Sequence, residues 1–432
     1  MQKESIFYNN NFLVYGFGKS GYASYKFLIK NNSCKIIDDN KKNIPSKYKN
    51  HIVNFKDLKR NNFDYIVLSP GIDIKQCKLT KYLLNNQNKI ITELDIFHVI
   101  YSKNTKITIT GTNGKSTTCQ MLFKIFKSNN KDVRLVGNIG NPPLFEKNIK
   151  KETIFIIEAS SYQISYSNFF KTDHAAILNL STDHLERHGN INNYAKAKLK
   201  LFYNQEMYKQ SYIEKNNKII NKNIYLKKIK SKLNKINYDK IKFFKRKIKN
   251  SNILDKNNLN NIHFIYAICK KFNFQDNVIF ESLNNFKGLK YRKQIIYDKN
   301  NLKIINDSKS TSFSSTVGLL SEYKNIYWIV GGKYKKGDRF KLNKKYYKNI
   351  SAYIIGLSKS YFVKQFKNKI QFKYLKNLKK TILIIKKEIK NQKNSKIILF
   401  SPSAASFDQF KNFEERGVYF NKLVRQIILK KL

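Results

Sequence analysis

The sequence predicts an α/β protein of three domains, and three observations predict it. Short apolar runs of strand length alternate with helical stretches along most of the chain. Two of those runs lead into glycine turns that open a helix. The 432 residues suffice for two or three separate cores. The division expected is 1–102, 103–290 and 291–432.

The first block carries strands at Phe12-Leu13-Val14-Tyr15, Lys35-Ile36-Ile37 and Tyr65-Ile66-Val67-Leu68, a β/α pattern suited to a parallel sheet. Gly16-Phe17-Gly18-Lys19-Ser20-Gly21 follows the first strand, and Asp38 and Asp39 close the second. That is the order of a dinucleotide-binding fingerprint, with a diphosphate expected at the helix N-terminus. The domain is therefore expected to be Rossmann-like, although tight strand–helix packing alone could require the same glycines. Ser69, Pro70 and Gly71 end the third strand, at the carboxyl edge where open sheets bind ligands.

The second block opens on the strand Lys106-Ile107-Thr108-Ile109, continues as Thr110-Gly111-Thr112-Asn113-Gly114-Lys115-Ser116-Thr117-Thr118, and enters a helix at Met121-Leu122-Phe123. Glycines let backbone N–H groups turn inward on an anion, and a lysine and a hydroxyl follow to meet terminal phosphates and magnesium. Ile109 stands where the longer phosphate-loop pattern has glycine, so this is a shortened form. Lysine, two hydroxyls and a helix start together weigh against an ordinary glycine turn. A P-loop ATPase-type mononucleotide-binding domain follows. Glu158 ends the apolar run Ile154-Phe155-Ile156-Ile157, where a carboxylate can hold magnesium in the same sheet. Ala175-Ala176-Ile177-Leu178 forms another strand, and Asp183 and His184 crowd onto its end. Between 205 and 257 lysine and asparagine dominate and periodicity is weak. The third block has apolar runs at 303–305, 327–330, 352–355 and 396–400, then a serine-rich turn and an amphipathic C-terminal helix.

Net charge is +55, from 84 Lys and Arg against 29 Asp and Glu. Such an excess ordinarily points to nucleic acid or an anionic surface. Here lysine is spread through the whole chain among asparagine, isoleucine and tyrosine, residues with A/T-rich codons. Base-biased drift explains it more simply, and no nucleic-acid partner is expected. No segment has the apolar length to span a bilayer, and the N-terminus lacks the apolar core of a signal peptide. Cys34, Cys77, Cys119 and Cys269 are scattered, without the spacing of a zinc site or disulfide framework. A cytoplasmic monomer is expected.

The runs GTNGKSTT, EASSYQI and NLSTDHLERHG, with Tyr194 and Ala197-Lys198-Leu199 behind them, resemble the Mur ligase family. In the third block Asn306-Asp307-Ser308-Lys309-Ser310-Thr311-Ser312 and Gly331-Gly332 with Lys335 resemble family segments. The run from Ser401 to Gly417, SPSAASFDQFKNFEERG, is similar to the signature of the D-glutamate-adding branch. The resemblance spans essentially the whole chain. It implies a Rossmann-like C-terminal domain and ATP-dependent amide-bond formation through an acyl phosphate. The substrates implied are UDP-N-acetylmuramoyl-L-alanine and D-glutamate.

By position, the resemblance assigns ATP to Gly111, Thr112, Asn113, Gly114, Lys115, Ser116 and Thr117, with Asn261, Arg292 and Asp307. It assigns the UDP substrate to Gly16, Gly18, Gly21, Asp38, Ser69, Pro70, Gly71, Asn138 and Gln163. Lys309, Thr311, Lys335, Ser406 and Phe413 would seat D-glutamate. Two magnesium ions would use Ser116 and Glu158, and His184 and Lys198. An ammonium cannot ligate a cation, so Lys198 is implied to be a carbamate. Lys115, His184 and Lys198 would be the catalytic set. Asp255-Lys256-Asn257 replace the glycine and histidine usual before Asn258 and Asn261, Tyr291 replaces a histidine before Arg292, and Asn40 stands where a basic residue is common. The alternatives are a family member adding another amino acid and, in a different class, a basic nucleotide-binding protein without ligase activity.

Overall fold

The computed structural model describes residues 7–224, 228–335, 337–390 and 394–431. It contains three sheets, as the alternation of apolar runs and helices predicts. The first comprises β1 (Asn11–Tyr15), β2 (Ser33–Ile37), β3 (Tyr65–Leu68) and β4 (Ile90–Ile91), parallel in the order β2-β1-β3-β4. The second comprises β5 (Lys106–Thr110), β6 (Val133–Gly137), β7 (Ile154–Glu158), β8 (His174–Ile177), β9 (Gln210–Glu214) and β10 (Lys232–Ile236). These are parallel throughout, in the order β10-β9-β8-β5-β7-β6. The third has β11 (Gln294–Lys299), β12 (Leu302–Asn306), β13 (Ile326–Gly331), β14 (Ile350–Ile355), β15 (Gln371–Lys376) and β16 (Lys396–Phe400). Its order is β11-β12-β16-β13-β14-β15, with only the edge pair β11–β12 antiparallel. Met1–Phe286, with the first two sheets, is one compact unit, and Lys287–Leu432, with the third, is another. No helix among the described residues is long and apolar enough to cross a membrane.

Parallel strands covered on both faces bury successive side chains, whichever way they point. Every residue of β5 and β7 is buried accordingly. Burying an isoleucine such as Ile156 contributes roughly 1.5–3 kcal/mol. The polar members of β5 are satisfied where they lie. Thr108 Oγ1 donates to Thr172 Oγ1 at 2.8 Å, and Lys106 Nζ donates to the carbonyls of Asn104, at 2.9 Å, and Tyr101. The helix Lys115–Ser128 lays Cys119, Leu122, Ile125 and Phe126 inward, a three-to-four-residue spacing that makes one apolar stripe. In the second unit Trp328 is fully buried and its indole N–H donates to Ser401 O at 2.8 Å, tying β13 to the turn after β16.

The weakly periodic stretch also folds. It supplies β9, β10 and the helices Lys218–Ile224 and Ile241–Lys247, while 225–227 lie outside the described residues. β10 is an edge strand with one buried side chain, Ile236, so its sequence KLNKI carries little apolar signal.

Two acids on the helix Glu93–Ile100 contrast in their surroundings. Asp95 closes a capping box with Thr92 and also accepts from Ser167 Oγ at 2.7 Å, Phe169 N at 2.6 Å and Phe170 N at 2.9 Å. Glu93 is 5% exposed, and burial pushes its carboxyl up to about 7, against the hydrogen bonds from Ser20 and the Leu144 backbone. An unfolded glutamate ionises near 4.5. Between these values the unfolded state has lost a proton that the folded state keeps, so this group costs stability as pH rises and its effect levels off above about 7. Glu93→Gln removes that slope. The variant should gain on the wild type by on the order of 2 kcal/mol more at pH 8 than at pH 5. Thermal midpoints of both proteins at the two pH values test this; an equal difference at both would refute it.

Candidate functional site

Parallel topology collects the chemistry at one edge of each sheet. In the second sheet β5 lies between β7 and β8, and Ile109 pairs with Glu158. The phosphate-type loop, Glu158 and the loop leading to His184 thus emerge from three adjacent strand ends, the position open α/β sheets use for ligands. Gly114 takes φ +85° at the start of the helix, and a Cβ there would come within 2.3 Å of Asn261 Nδ2. Glycine is required by both the turn and the neighbour. The same contact puts Asn261, far along the chain, against the loop it was expected to join. Thr112 and Asn113 are pinned by Asn179, whose carbonyl accepts Thr112 N at 3.0 Å and whose Oδ1 accepts Asn113 N at 2.9 Å. Lys115 Nζ donates to Gly111 O and Thr112 O at 2.8 Å each, and Thr117 follows in the first turn of the helix.

Glu158 is 1% exposed and accepts from Ser116 Oγ at 2.5 Å and Asn138 Nδ2 at 2.8 Å. The structure therefore joins Ser116, Glu158 and Asn138. A hydroxyl beside a buried carboxylate is a hard-oxygen donor set that fits magnesium, an ion that completes its shell with water and phosphate. Among the described residues no group of three or more His, Cys, Asp or Glu could hold a metal by itself. Any ion here would need hydroxyl, substrate or modified-lysine oxygens.

Lys198 is 1% exposed on the helix Ile191–Tyr203. Its Nζ lies 3.1 Å from both Thr110 Oγ1 and Gly111 O, and 4.7 Å from the centre of the Tyr194 ring. Burial pulls the amine well below the usual lysine range and Lys115 adds to this; Asp183 and Glu158 oppose it. His184 adopts φ +54° ahead of the one-turn helix Leu185–His188. Tyr162 Oη meets its Nδ1 at 2.7 Å, and Asp183 Oδ2 lies 3.4 Å from its Nε2. Gln163 directs its Oε1 to Ser160, capping the helix Ser161–Tyr166 at that position.

In the first sheet the order β2-β1-β3-β4 makes a switch point between β1 and β3. Ser69 Oγ donates to Gly16 O at 2.6 Å across it, and a Cβ on Gly21 would sit 1.8 Å from that carbonyl. Asp38 Oδ2 accepts Phe17 N at 2.6 Å, bracing the loop. Gly18 and Gly71 face open space, with Pro70 between Ser69 and Gly71. Six of these residues thus form one loop cluster, and Asp38 holds its backbone.

In the second unit Lys309 Nζ stands 3.8 Å over the Phe413 ring. Lys333 and Ala405 exchange backbone hydrogen bonds at 2.9 Å, bringing the turn before Lys335 beside Ser406. Asp307 is buried and accepts from Ser401 Oγ at 2.7 Å and Lys293 N at 3.1 Å. Burial nonetheless pushes its carboxyl up to about 6. Thr311 lies in the turn before the helix Phe313–Glu322, and Arg292 in the turn before β11. Sequence reasoning passed over Arg416. It is 1% exposed and ties Ser308 O, at 2.7 Å, to Ala404 O, at 3.0 Å, so one guanidinium joins the Lys309 and Ser406 turns. An arginine inside a long signature was the available signal.

Residues 109–279 match the Mur ligase middle domain. The UDP-N-acetylmuramoylalanine–D-glutamate ligase of Rickettsia felis is 34% identical, covering 96% of this chain and 96% of its own. The ligase of the same name from Buchnera aphidicola subsp. Schizaphis graminum is 33% identical over 98% of this chain and 99% of its own. Among solved structures, the MurF ligase of Thermotoga maritima in complex with ADP has a TM-score of 0.57 at 14% identity, covering 100% of this chain and 97% of that one. The UDP-N-acetylmuramate–alanine ligase of Thermotoga maritima has a TM-score of 0.56 at 14% identity, over 97% and 99%. These two share the fold. Given the identity to the curated relatives over nearly all of both chains, the chain belongs to the Mur ligase family of ATP-dependent amide-bond-forming enzymes.

Proposed function

We propose that this chain joins D-glutamate to UDP-N-acetylmuramoyl-L-alanine, using ATP, in the synthesis of peptidoglycan precursors. The observation that carries the reading is Lys115 and Ser116 after β5 beside Glu158 at the end of β7, with His184 in the loop after β8 and Lys198 reaching Thr110 and Gly111 from the helix Ile191–Tyr203. The D-glutamate signature in the third block and the names of the relatives support the choice of amino acid. The three sheets support a division into domains at 1–102, 103–290 and 291–432; a monomer acting in the cytoplasm is part of the same proposal.

A carboxylate is a poor electrophile, so the γ-phosphoryl of ATP passes first to the muramoyl alanine carboxylate. Lys115 offsets the charge of the two anions that must approach, and the N–H groups opening the helix Lys115–Ser128 hold the phosphates. The amine of D-glutamate then attacks the acyl phosphate and phosphate leaves. Ser116 and Glu158 would hold one magnesium ion and His184 with a carbamylated Lys198 a second. Bound there, magnesium would neutralise charge on phosphate and carboxylate oxygens. Tyr162 holds the His184 ring through Nδ1, and Nε2, which faces Asp183 Oδ2 at 3.4 Å, is the nitrogen that would turn to a metal. Gly16, Ser69 and Asp38 shape the loop for the nucleotide diphosphate, and Lys309, Lys335, Ser406 and Phe413 seat the D-glutamate.

Phosphate release from ATP in the presence of UDP-N-acetylmuramoyl-L-alanine tests the reading, comparing D-glutamate with L-alanine, L-glutamate and a diamino acid. Turnover is expected with D-glutamate alone. Turnover with a different amino acid would keep the chemistry and overturn the specificity. No turnover with any, alongside salt-dependent binding to random DNA, would favour a basic nucleotide-binding protein instead.

A further inference from the structure

Arg187 has no role in the reading above, yet it links three of its parts. It lies within the one-turn helix that follows His184. Its Nη2 donates to the carbonyls of Ile72 and, at 3.3 Å, Pro70, while Nη1 reaches Gly71 O at 3.5 Å. Nη2 also meets Tyr166 Oη at 3.2 Å, and Nε faces Asp73 Oδ1 at 3.7 Å. The guanidinium carbon lies 4.8 Å from the Tyr162 ring centre and 5.4 Å from that of Tyr166. Tyr162 is the residue that holds His184 Nδ1. One planar cation therefore binds the loop after β3 through three successive carbonyls and packs on the helix Ser161–Tyr166. It does so from the same short segment that carries His184. Its side chain is 11% exposed, so these contacts are made largely out of water.

We propose that Arg187 is a positioning residue that sets the distance between the nucleotide-holding loop at 69–71 and His184. This rests on the ligase reading. The precursor is a long molecule, with its nucleotide at the edge of the first sheet and its reacting carboxylate at the edge of the second. Only a fixed separation lets both ends sit correctly at once. A guanidinium suits the task because its fork of donors can hold several carbonyls while its face stacks on a ring. A lysine at this position would keep the charge opposite Asp73 but could not span three carbonyls.

The test is steady-state kinetics of Arg187→Ala and Arg187→Lys, with thermal midpoints measured alongside. For Arg187→Ala, kcat is expected to fall and KM for the precursor to rise, each by roughly 10- to 100-fold, the size of loss that small misplacements produce. KM for ATP and for D-glutamate should stay within about 2-fold, since neither is held by this link. Arg187→Lys should recover part of the loss in precursor KM and little of kcat. A folded Arg187→Ala enzyme with wild-type precursor KM and kcat would overturn the proposal. So would equal rises in all three KM values that track a lowered melting point, the mark of general loosening. If the wild type fails to turn over the precursor at all, the ligase reading falls and this proposal with it; wild-type turnover with an unmoved variant removes this proposal alone.

Discussion

Lys115→Ala should abolish ligation, lowering kcat by on the order of 10³-fold or more while leaving the protein folded. The ammonium stands over its own loop, bonded to Gly111 O and Thr112 O at 2.8 Å each. Those bonds hold a flexible side chain across the space that the loop encloses, so the charge is in place before any phosphate arrives. Lys115 is only partly buried, and when the ammonium is removed Gly111 O keeps a second donor, Lys198 Nζ at 3.1 Å. What is lost is the cation of the loop, at the step where a dianionic phosphoryl group approaches a carboxylate. Lys115→Arg should recover little, because a broad planar guanidinium cannot take the point position of an ammonium between two carbonyls. Single-turnover transfer of phosphate from ATP would measure this directly. A variant within about 10-fold of wild type would move phosphoryl transfer away from this loop altogether.

That the lysine could be picked out from sequence, while Arg187 and Asp95 could not, has a physical cause. A phosphate loop is contiguous: the glycine that turns, the lysine and the hydroxyl all lie between a strand and the helix it feeds, so spacing alone displays them. Arg187 acts on residues 70–73 and Asp95 on residues 167–170, partners more than seventy positions away. Their importance exists only once the first two sheets have folded beside each other. Strand detection follows the same division. β7 and β16 are buried on both faces and appear as unbroken apolar runs. β10 and β15 are edge strands at sheet ends, and their lysines point to solvent, so KLNKI and QFKYLK resemble the lysine-rich background. Asn261 is the instructive middle case. Its flanking residues depart from the family pattern, but the missing Cβ of Gly114 is matched to its amide, and that complementarity is three-dimensional.

Lys198→Ala should be nearly as damaging as loss of Lys115, and bicarbonate should not restore it. Lys198 Nζ is fully buried beside Thr110 Oγ1, Gly111 O and the Tyr194 ring, with no carboxylate among the described residues bonded to it there, and burial with the nearby Lys115 favours the neutral amine over the opposing pull of Asp183 and Glu158. A neutral amine is a nucleophile. Its nitrogen lone pair would add to the carbon of carbon dioxide, one C=O π bond opening onto oxygen, and the nitrogen would release a proton to solvent. The product would be an anionic carbamate, stable only where a cation answers its charge, and Lys115 with bound magnesium would supply that. The sign of the pH effect follows. Acid protonates the amine and reverses the addition, so activity should decay after acid treatment in carbon-dioxide-free buffer by about 10-fold or more and return when bicarbonate is added. Enzyme prepared in ¹³C-bicarbonate should show a carbamate carbon resonance that Lys198→Ala lacks. Full activity in carbon-dioxide-free buffer, with no such resonance, would leave Lys198 as a buried amine holding the phosphate loop by Gly111. In that case the second metal position would have only His184 to define it.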